Sequence, residues 1–219
     1  MKNIAFLLLF IPFLQPLTGQ QQEPEVQDPR AGEVLDKLAR KTKTAKNIYA
    51  TFDYDYSDKK SGDEYNQEGN ILIAGEKYRI TLPEMVIFYD GEALFTYLPD
   101  VNEVNITDPD EETGNFFMSN PLNLFNIYKS DFKYRFLEET GQYYELALYP
   151  FNRDNLYHTI KLKVDKEETR IYQAEALGKK GEVFKVTLFS YQTDMDYSEE
   201  DVTFDPANYP DVMINDMRF

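Results

Sequence analysis

Few residues in this sequence have side chains that could act as catalysts. The chain contains no Cys and a single His, His158, so it has no thiolate nucleophile and only one candidate base for a catalytic triad. It has no Gly-x-Ser-x-Gly turn, no His-Glu-x-x-His helix and no glycine-rich phosphate loop. His158 belongs to a stretch of alternating polar and apolar residues, where a histidine usually packs or lies at the rim of a sheet. The sequence therefore predicts no catalytic residue and no enzymatic activity.

Carboxylates are the one abundant reactive group, with 39 Asp and Glu against 23 Lys and Arg. The acidic stretch from Asp108 to Glu112 could bind Ca²⁺, but it lacks the central Gly and the distal Glu of an EF-hand loop. We therefore predict no metal site and no cofactor. Two carboxylates brought together by folding could hydrolyse a glycan, although the sequence singles out no such pair. An acid-catalysed glycan hydrolase therefore remains one alternative.

The formal net charge of -16 restricts the partners of the protein. Nucleic acid is excluded because phosphate binding requires a basic surface, and anionic membrane surfaces are disfavoured for the same reason. Aromatic residues make up 15% of the chain, all of them Tyr or Phe, which favours a large β-sheet face over a bundle of aliphatic helices. A large apolar surface without catalytic residues is typical of a protein that binds a hydrophobic ligand.

The first 19 residues have the pattern of an export signal. Lys2 supplies the positive charge, residues 4–14 form an apolar run that is too short to span a bilayer, and cleavage is expected near Gly19. A retained amphipathic anchor is the alternative. Residues 20–27 are polar and contain proline, which is typical of a short tether. The following residues, 28–219, are predicted to form one domain.

A helix is predicted at the start of that domain. Asp28 is a suitable N-cap and Pro29 a suitable first helical residue. Apolar residues between Ala31 and Ala45 recur at helical spacing, so one side of the helix should be covered. The second half is basic, with lysine or arginine at positions 37, 40, 41, 43 and 46. These cations either form a solvated face that stabilises the helix C-terminus or form a docking surface for an acidic partner.

The rest of the domain is predicted to be a β-sheet. Alternating polar and apolar residues indicate about eleven strands, and short connections without helices favour antiparallel neighbours in an incomplete or closed barrel of the mainly β (α+β) class. Asp90-Gly91 predicts a tight type I′ hairpin with positive φ at both residues. The alternation is interpreted as placing seven large side chains on one face, namely Phe52, Tyr54, Tyr78, Ile80, Leu82, Phe95 and Tyr97.

A second helix is predicted from Asn120 and Pro121, which are suitable residues for its N-cap and first turn. Leu124, Phe125 and Tyr128 would form an apolar stripe along it. Such large side chains on so short a helix indicate a lid over the sheet, with an ordinary core helix as the alternative.

Several short motifs occur in the order found in the LolA family of periplasmic lipoprotein carriers. They are Gln67-Glu-Gly69, Lys77-Tyr-Arg-Ile80, Asp90-Gly91 with Phe95-x-Tyr97, Asn102-Glu103 and Phe204-x-Pro206. The sequence resembles this family over residues 28–219. The resemblance implies an incomplete antiparallel β-barrel of about eleven strands whose open side is covered by short helices.

The resemblance also implies a function. A LolA-like protein in the periplasm of a gram-negative bacterium would bind the acyl chains of outer-membrane lipoproteins in a hydrophobic cavity and shuttle lipoproteins, as a monomer, from the inner to the outer membrane. It would receive them from an inner-membrane ABC-type lipoprotein-releasing complex and pass them to LolB or to a receptor that replaces it. The cavity residues implied on the third and fifth strands are Tyr78, Ile80, Leu82, Phe95 and Tyr97, and Phe52 and Tyr54 are predicted to line the same lipid-binding cavity.

The turn before the Tyr78 strand departs from the family pattern. Proteobacterial members have a functionally important arginine there, whereas this chain reads Ala74-Gly-Glu-Lys77. Arg79 is close, but strand alternation directs it to the face opposite Tyr78, so the resemblance does not give it that role. The lid or the cargo could therefore differ. A non-transporting lipid-binding sensor or scaffold domain of the cell envelope is the alternative function.

Overall fold

The computed structural model describes residues 27–109 and 131–218. Within them, one α-helix, α1 (Pro29–Thr44), precedes twelve β-strands. The strands are β1 (Asn47–Asp58), β2 (Glu64–Ala74), β3 (Lys77–Thr81), β4 (Val86–Tyr89), β5 (Leu94–Leu98), β6 (Glu103–Thr107), β7 (Phe132–Glu139), β8 (Tyr143–Pro150), β9 (Tyr157–Asp165), β10 (Arg170–Gly178), β11 (Glu182–Thr193) and β12 (Met213–Asp216). Two 3₁₀ helices, Glu199–Asp201 and Pro206–Asn208, lie between β11 and β12.

All twelve strands belong to one sheet, in the order β12-β6-β5-β4-β3-β2-β1-β11-β10-β9-β8-β7. Neighbours are antiparallel except for β12, which pairs in parallel with β6. The sheet ends at β12 and β7, so it is open rather than a closed barrel. The prediction of a mainly β, antiparallel and incomplete barrel is confirmed. No helix within the described ranges is both long and apolar enough to cross a membrane.

Helix α1 forms where its capping residues predict it. Asp28 Oδ1 accepts hydrogen bonds from the backbone N–H groups of Arg30 (2.9 Å) and Ala31 (3.3 Å), which would otherwise lack partners in the first turn. The apolar side of the helix is buried and contacts β7 and β10. The side chains buried on that side include Val34, Leu35 and Leu38.

The two faces of the sheet are covered by different parts of the chain. We call the face on which α1 packs the inner face; it contributes most of the main core, including Ala50 of β1, Leu148 of β8 and Leu162 of β9. The opposite, outer face is covered over β2–β6 by the segment that leads into β12. In that segment, Val202 packs against Leu72 and Ala74.

Asp28 also covers one edge of the sheet. Its backbone N–H donates to the Tyr134 carbonyl (3.2 Å), and its Oδ2 accepts from the Phe136 N–H (3.1 Å), both on edge strand β7. The guanidinium of Arg30 lies 3.9 Å from the centre of the Phe136 ring and forms an ion pair with Glu139. Asp28 therefore caps α1 and also forms hydrogen bonds with backbone groups of β7 that would otherwise be exposed at the edge of the sheet.

The turn at Asp90 differs from the predicted type I′ hairpin. Four residues, 90–93, connect β4 to β5, and positive φ occurs at Gly91 (103°) but not at Asp90. Asp90 Oδ1 accepts hydrogen bonds from the backbone N–H groups of Glu92 and Ala93, both at 2.9 Å. The prediction is wrong because the Asp90 side chain stabilises a wider turn by bonding to the backbone ahead of it.

Gly69 of β2 provides a test of how tightly the sheet packs. A Cβ atom at this position would lie 2.7 Å from Phe52 Cζ and 2.8 Å from the Thr81 carbonyl oxygen. Gly69→Ala should lower the free energy of unfolding by about 1–3 kcal/mol, because the added methyl group overpacks the site. Urea denaturation measures this change. Gly141→Ala is the matched control, since no atom lies within 4 Å of the added Cβ, and equal stability of the two variants would contradict the prediction.

Candidate functional site

Five of the seven predicted face residues come together on the inner face. Phe52 and Tyr54 lie on β1, Tyr78 and Ile80 on β3, and Leu82 directly after β3. All five are buried and belong to the main core cluster. Together with Ile71 and Ile73 of β2, their side chains form a contiguous apolar and aromatic surface across three neighbouring strands, which is buried in the core.

The pairing of β1, β2 and β3 explains this arrangement. Ile80 lies opposite Ile71 of β2, and Tyr78 lies opposite Ile73, so all four side chains point to the inner face. Phe52 lies opposite Gly69. Because Gly69 has no side chain, the Phe52 ring and the Leu82 side chain both occupy the space beside it.

The surroundings of Tyr78 show how apolar this surface is. Burial, with a smaller contribution from Tyr89, raises the pKa of Tyr78 well above its usual range. The rings of Tyr78 and Tyr89 lie 5.2 Å apart, centre to centre. A low-polarity environment of this kind disfavours charged groups and suits hydrocarbon.

The aromatic surface continues to solvent at one end of the inner face. Tyr56 stacks on Tyr65 of β2 at 4.8 Å and lies 5.2 Å from the Phe184 ring of β11. Tyr65 is 44% exposed, whereas Tyr54, whose ring is 5.9 Å from that of Tyr65, is 1% exposed. Sequence reasoning missed Tyr65 and Phe184, because only the strand register reveals that they lie beside Tyr56.

Phe95 and Tyr97 do not share this face, and that part of the prediction is wrong. Tyr89 of β4 pairs with Leu94, which places Leu94 on the inner face and directs Phe95 and Tyr97 to the outer face. Alternation shows which residues of one strand point the same way. It does not show which face of the sheet they point to, because this depends on the register with the neighbouring strand.

On the outer face, these two residues hold the segment before β12. The Phe95 ring stacks on Phe204 at 5.6 Å, and the Tyr97 ring lies 4.5 Å from that of Tyr209. Tyr97 Oη donates to Asn102 Oδ1 (3.2 Å), and Asn102 Nδ2 donates to the Pro210 carbonyl (3.1 Å). Three of the motifs on which the resemblance to the LolA family rests, Phe95-x-Tyr97, Asn102-Glu103 and Phe204-x-Pro206, therefore contribute residues to this one cluster.

Arg79 lies on the outer face, as its position in β3 predicts. Its Nη1 is 3.8 Å from Asp201 Oδ1, in the first of the two 3₁₀ helices. Asp201 also accepts hydrogen bonds from the backbone N–H (2.8 Å) and the hydroxyl (3.1 Å) of Ser198. These bonds, with a smaller contribution from Arg79, lower the pKa of the Asp201 carboxyl. Arg79 thus helps to fix the segment that covers the outer face.

Other predicted features lie elsewhere. The lid residues Leu124, Phe125 and Tyr128, the export signal and most of the Asp108–Glu112 stretch fall outside the described residues. His158 is exposed, with Nδ1 2.8 Å from the hydroxyl of Thr159. Among the described residues, no three His, Cys, Asp or Glu side chains are grouped so that they could bind a metal ion.

A cleft of about 510 Å³ lies beside Gly69. It is lined by Thr51, Phe52, Asp53, Glu68, Gly69, Asn70, Thr81, Leu82, Pro83 and Phe189. Asp53 and Glu68 lie directly opposite each other on neighbouring strands, which is the kind of carboxylate pair that a glycan hydrolase would need. Glu68 is exposed, however, whereas the general acid of such enzymes is usually desolvated.

The assignment of Phe95 to the outer face leads to a test. Phe95→Ala should lower the free energy of unfolding by about 3 kcal/mol and should expose the segment around residues 205–211 to proteases, because Phe204 loses its stacking partner. Limited proteolysis with mass spectrometry locates the cleavage. Phe189→Ala, at a side chain that is 56% exposed, is the control. Unchanged proteolysis of the Phe95 variant would show that this contact does not hold the segment.

Comparison with known proteins places this geometry in a family. The chain matches the family model described as "Outer membrane lipoprotein carrier protein LolA" over residues 26–209. No curated protein matches it. It is similar in structure to an uncharacterized conserved protein from Thermus thermophilus, with a TM-score of 0.57, 13% identity and coverage of 85% of this chain and 99% of that one.

A LolA superfamily protein from Nitrosomonas europaea is also similar, with a TM-score of 0.45, 15% identity and coverage of 80% of this chain and 97% of that chain. At 13% identity, the likeness to the Thermus thermophilus protein concerns the fold, and the family match concerns most of the chain. The chain belongs to the LolA family of outer membrane lipoprotein carrier proteins.

Proposed function

We propose that this protein is a periplasmic carrier that binds the acyl chains of outer-membrane lipoproteins against the inner face at β1–β3 and shuttles lipoproteins from the inner to the outer membrane. The observation that carries the proposal is the continuous surface of Phe52, Tyr54, Tyr78, Ile80 and Leu82 in a chain of the LolA family. An acyl chain needs an extended apolar surface rather than a polar pocket, and this surface spans three strands.

The energetics of burial support this choice of ligand. Each methylene group transferred from water to an apolar site is worth about 0.8 kcal/mol. A few acyl chains therefore provide ample gross affinity without any charged contact. Tyr78, which is 1% exposed, is shielded from water at the centre of the surface.

Release requires that the empty surface be covered again. The five residues are buried, so a lipid can reach them only when the part of the protein that packs over them moves away. We propose that Leu124, Phe125 and Tyr128 belong to a lid that covers the face when it is empty. Closure of the lid would offset part of the lipid-binding energy and allow transfer to an acceptor.

The proposed partners follow from this cycle. A carrier of this kind acts as a monomer, receives lipoproteins from an inner-membrane ABC-type lipoprotein-releasing complex and passes them to a LolB-like receptor or its substitute in a gram-negative envelope. A lipid-binding sensor or scaffold domain would use the same face without releasing its ligand. A triacylated lipoprotein offered together with acceptor membranes separates the two functions, because only a carrier transfers it.

The first experiment identifies the ligand. The protein is produced in a bacterial periplasm, purified without detergent and extracted with organic solvent for mass spectrometry. We expect co-purified lipoprotein or diacyl lipid. A lipid-free protein that also fails to take up a triacylated lipopeptide would refute the proposal.

A second experiment locates the ligand on the inner face. Ile80→Thr should weaken binding of a fluorescent triacylated lipopeptide by roughly three- to tenfold, since it replaces a hydrocarbon contact with a hydroxyl. Ile160→Thr is the matched control, because Ile160 is equally buried in the same core but lies on β9. Circular dichroism verifies that both variants fold. Equal affinities of the two variants would place the lipid elsewhere.

A third experiment concerns the lid. Phe125→Ala should change the rate of lipopeptide transfer to acceptor vesicles much more than it changes the midpoint of thermal unfolding, because a lid contributes little to the packed core. Parallel losses of transfer and stability would identify Phe125 as an ordinary core residue.

A further inference from the structure

Three neighbouring hairpin turns form one end of the sheet. They are residues 59–63 between β1 and β2, residues 179–181 between β10 and β11, and residues 151–156 between β8 and β9. The turns are joined by hydrogen bonds from the Lys59 N–H to the Gly181 carbonyl (3.5 Å) and from the Lys179 N–H to the Leu156 carbonyl (2.9 Å). Lys179 Nζ also donates to the Arg153 carbonyl. We call these three turns the cationic rim.

The rim is close to neutral, whereas the whole protein is strongly acidic. The three turns contain five exposed cations, Lys59, Lys60, Arg153, Lys179 and Lys180, and the turns together with the adjoining strand ends contain five acids, Asp58, Asp63, Glu64, Asp154 and Glu182, so these charges cancel in a chain of formal charge -16.

The turns at the opposite end of the same strands, residues 75–76 and 166–169, contain Glu76, Glu167 and Glu168 against Lys166, which gives -2. The basic second half of α1 also reaches this end, where Lys41 Nζ donates to the Glu168 carbonyl. The described residues therefore expose two groups of cations, one on the rim and one on α1.

The acids that flank the rim are engaged with its backbone. Asp58 Oδ1 accepts a hydrogen bond from the Lys60 N–H (2.7 Å), and Glu182 Oε2 accepts one from the Lys180 N–H (3.0 Å). These carboxylates shape the turns, and the lysine side chains extend from them into solvent.

The rim also exposes large apolar side chains. Phe151 is 46% exposed and Leu156 is 44% exposed, and they lie on either side of Arg153 in the same turn. Lys133 Nζ lies 6.0 Å from the centre of the Phe151 ring. Protruding apolar side chains next to cations are typical of surfaces that enter the headgroup region of a bilayer, where the apolar groups are buried and the cations meet phosphate.

We propose that the cationic rim binds the surface of a lipid bilayer that contains anionic phospholipids. Phe151 and Leu156 insert between the headgroups, and the lysines of the two other turns lie near the phosphates. Two apolar side chains that protrude from a turn fit the soft interface of a bilayer better than the flat surface of an acidic protein. This surface is separate from the inner face, so the inference goes beyond the proposed lipoprotein binding.

The negative charge of the remaining protein sets the strength and geometry of this contact. An anionic membrane repels most orientations of this acidic protein, and of the two cationic surfaces, the rim and the second half of α1, the rim is the one that also offers exposed apolar side chains for insertion. Binding should therefore be weak, reversible and sensitive to salt, since screening weakens the attraction of the rim cations. The net charge alone disfavours a membrane contact, whereas the distribution of charge permits one at this end.

Vesicle flotation tests the proposal. The full chain without its predicted export signal is mixed with vesicles of phosphatidylcholine alone or of phosphatidylcholine and phosphatidylglycerol in equal parts, at low and at physiological salt. We expect flotation with the anionic vesicles, weaker flotation with added salt, and none with phosphatidylcholine alone.

Two pairs of variants locate the contact. Lys59→Gln combined with Lys60→Gln, and separately Phe151→Ser combined with Leu156→Ser, should each weaken binding at least about tenfold. Lys37→Gln combined with Arg40→Gln removes two exposed cations of α1, and Phe189→Ser removes an exposed phenyl group from β11; both should leave binding unchanged. Circular dichroism verifies folding of all four variants.

Three results would overturn the proposal. They are no flotation with anionic vesicles, equal flotation of the rim and control variants, and loss of binding only in the α1 variant, which would move the contact to the helix. Binding to immobilised polyglutamate without binding to vesicles would identify the rim as a surface for acidic proteins instead. None of these results depends on whether the inner face binds acyl chains.

Discussion

An open sheet of twelve strands has two faces to cover, and most of this structure depends on how the chain covers them. A sheet that has apolar side chains on both faces is stable in water only when another layer packs on each face. Helix α1 packs on the inner face, and the segment from Val202 to Val212 packs on the outer face over β2–β6. Asp28 links α1 to edge strand β7, so the helix and the edge are fixed by one carboxylate.

The two faces are therefore covered in different ways. On the outer face, Phe95, Tyr97 and Phe204 stack on one another and on Tyr209, and their apolar surface is used by the protein itself. On the inner face, α1 packs mainly against β7 and β10. The proposed lipid site is placed at β1–β3, away from these main contacts of α1.

The cationic rim lies at the end of the sheet where the aromatic surface of the inner face begins. Strands β1, β2 and β11 run from the rim turns, and their inner-face residues Tyr56, Tyr65 and Phe184 form the exposed start of the aromatic surface. A protein that rests on a bilayer through this end would present the start of that surface to the membrane.

The sequence by itself determined the local features and the family. Asp28 and Pro29 specify the start of α1, two-residue alternation specifies most strands, and ordered motifs identify a LolA-like chain. The tertiary structure decided which face Phe95 and Tyr97 occupy, the four-residue turn at Asp90, the parallel pairing of β12 and the meeting of three cationic turns. Alternation is a property of one strand, whereas face, register and charge clustering depend on contacts between residues far apart in the chain.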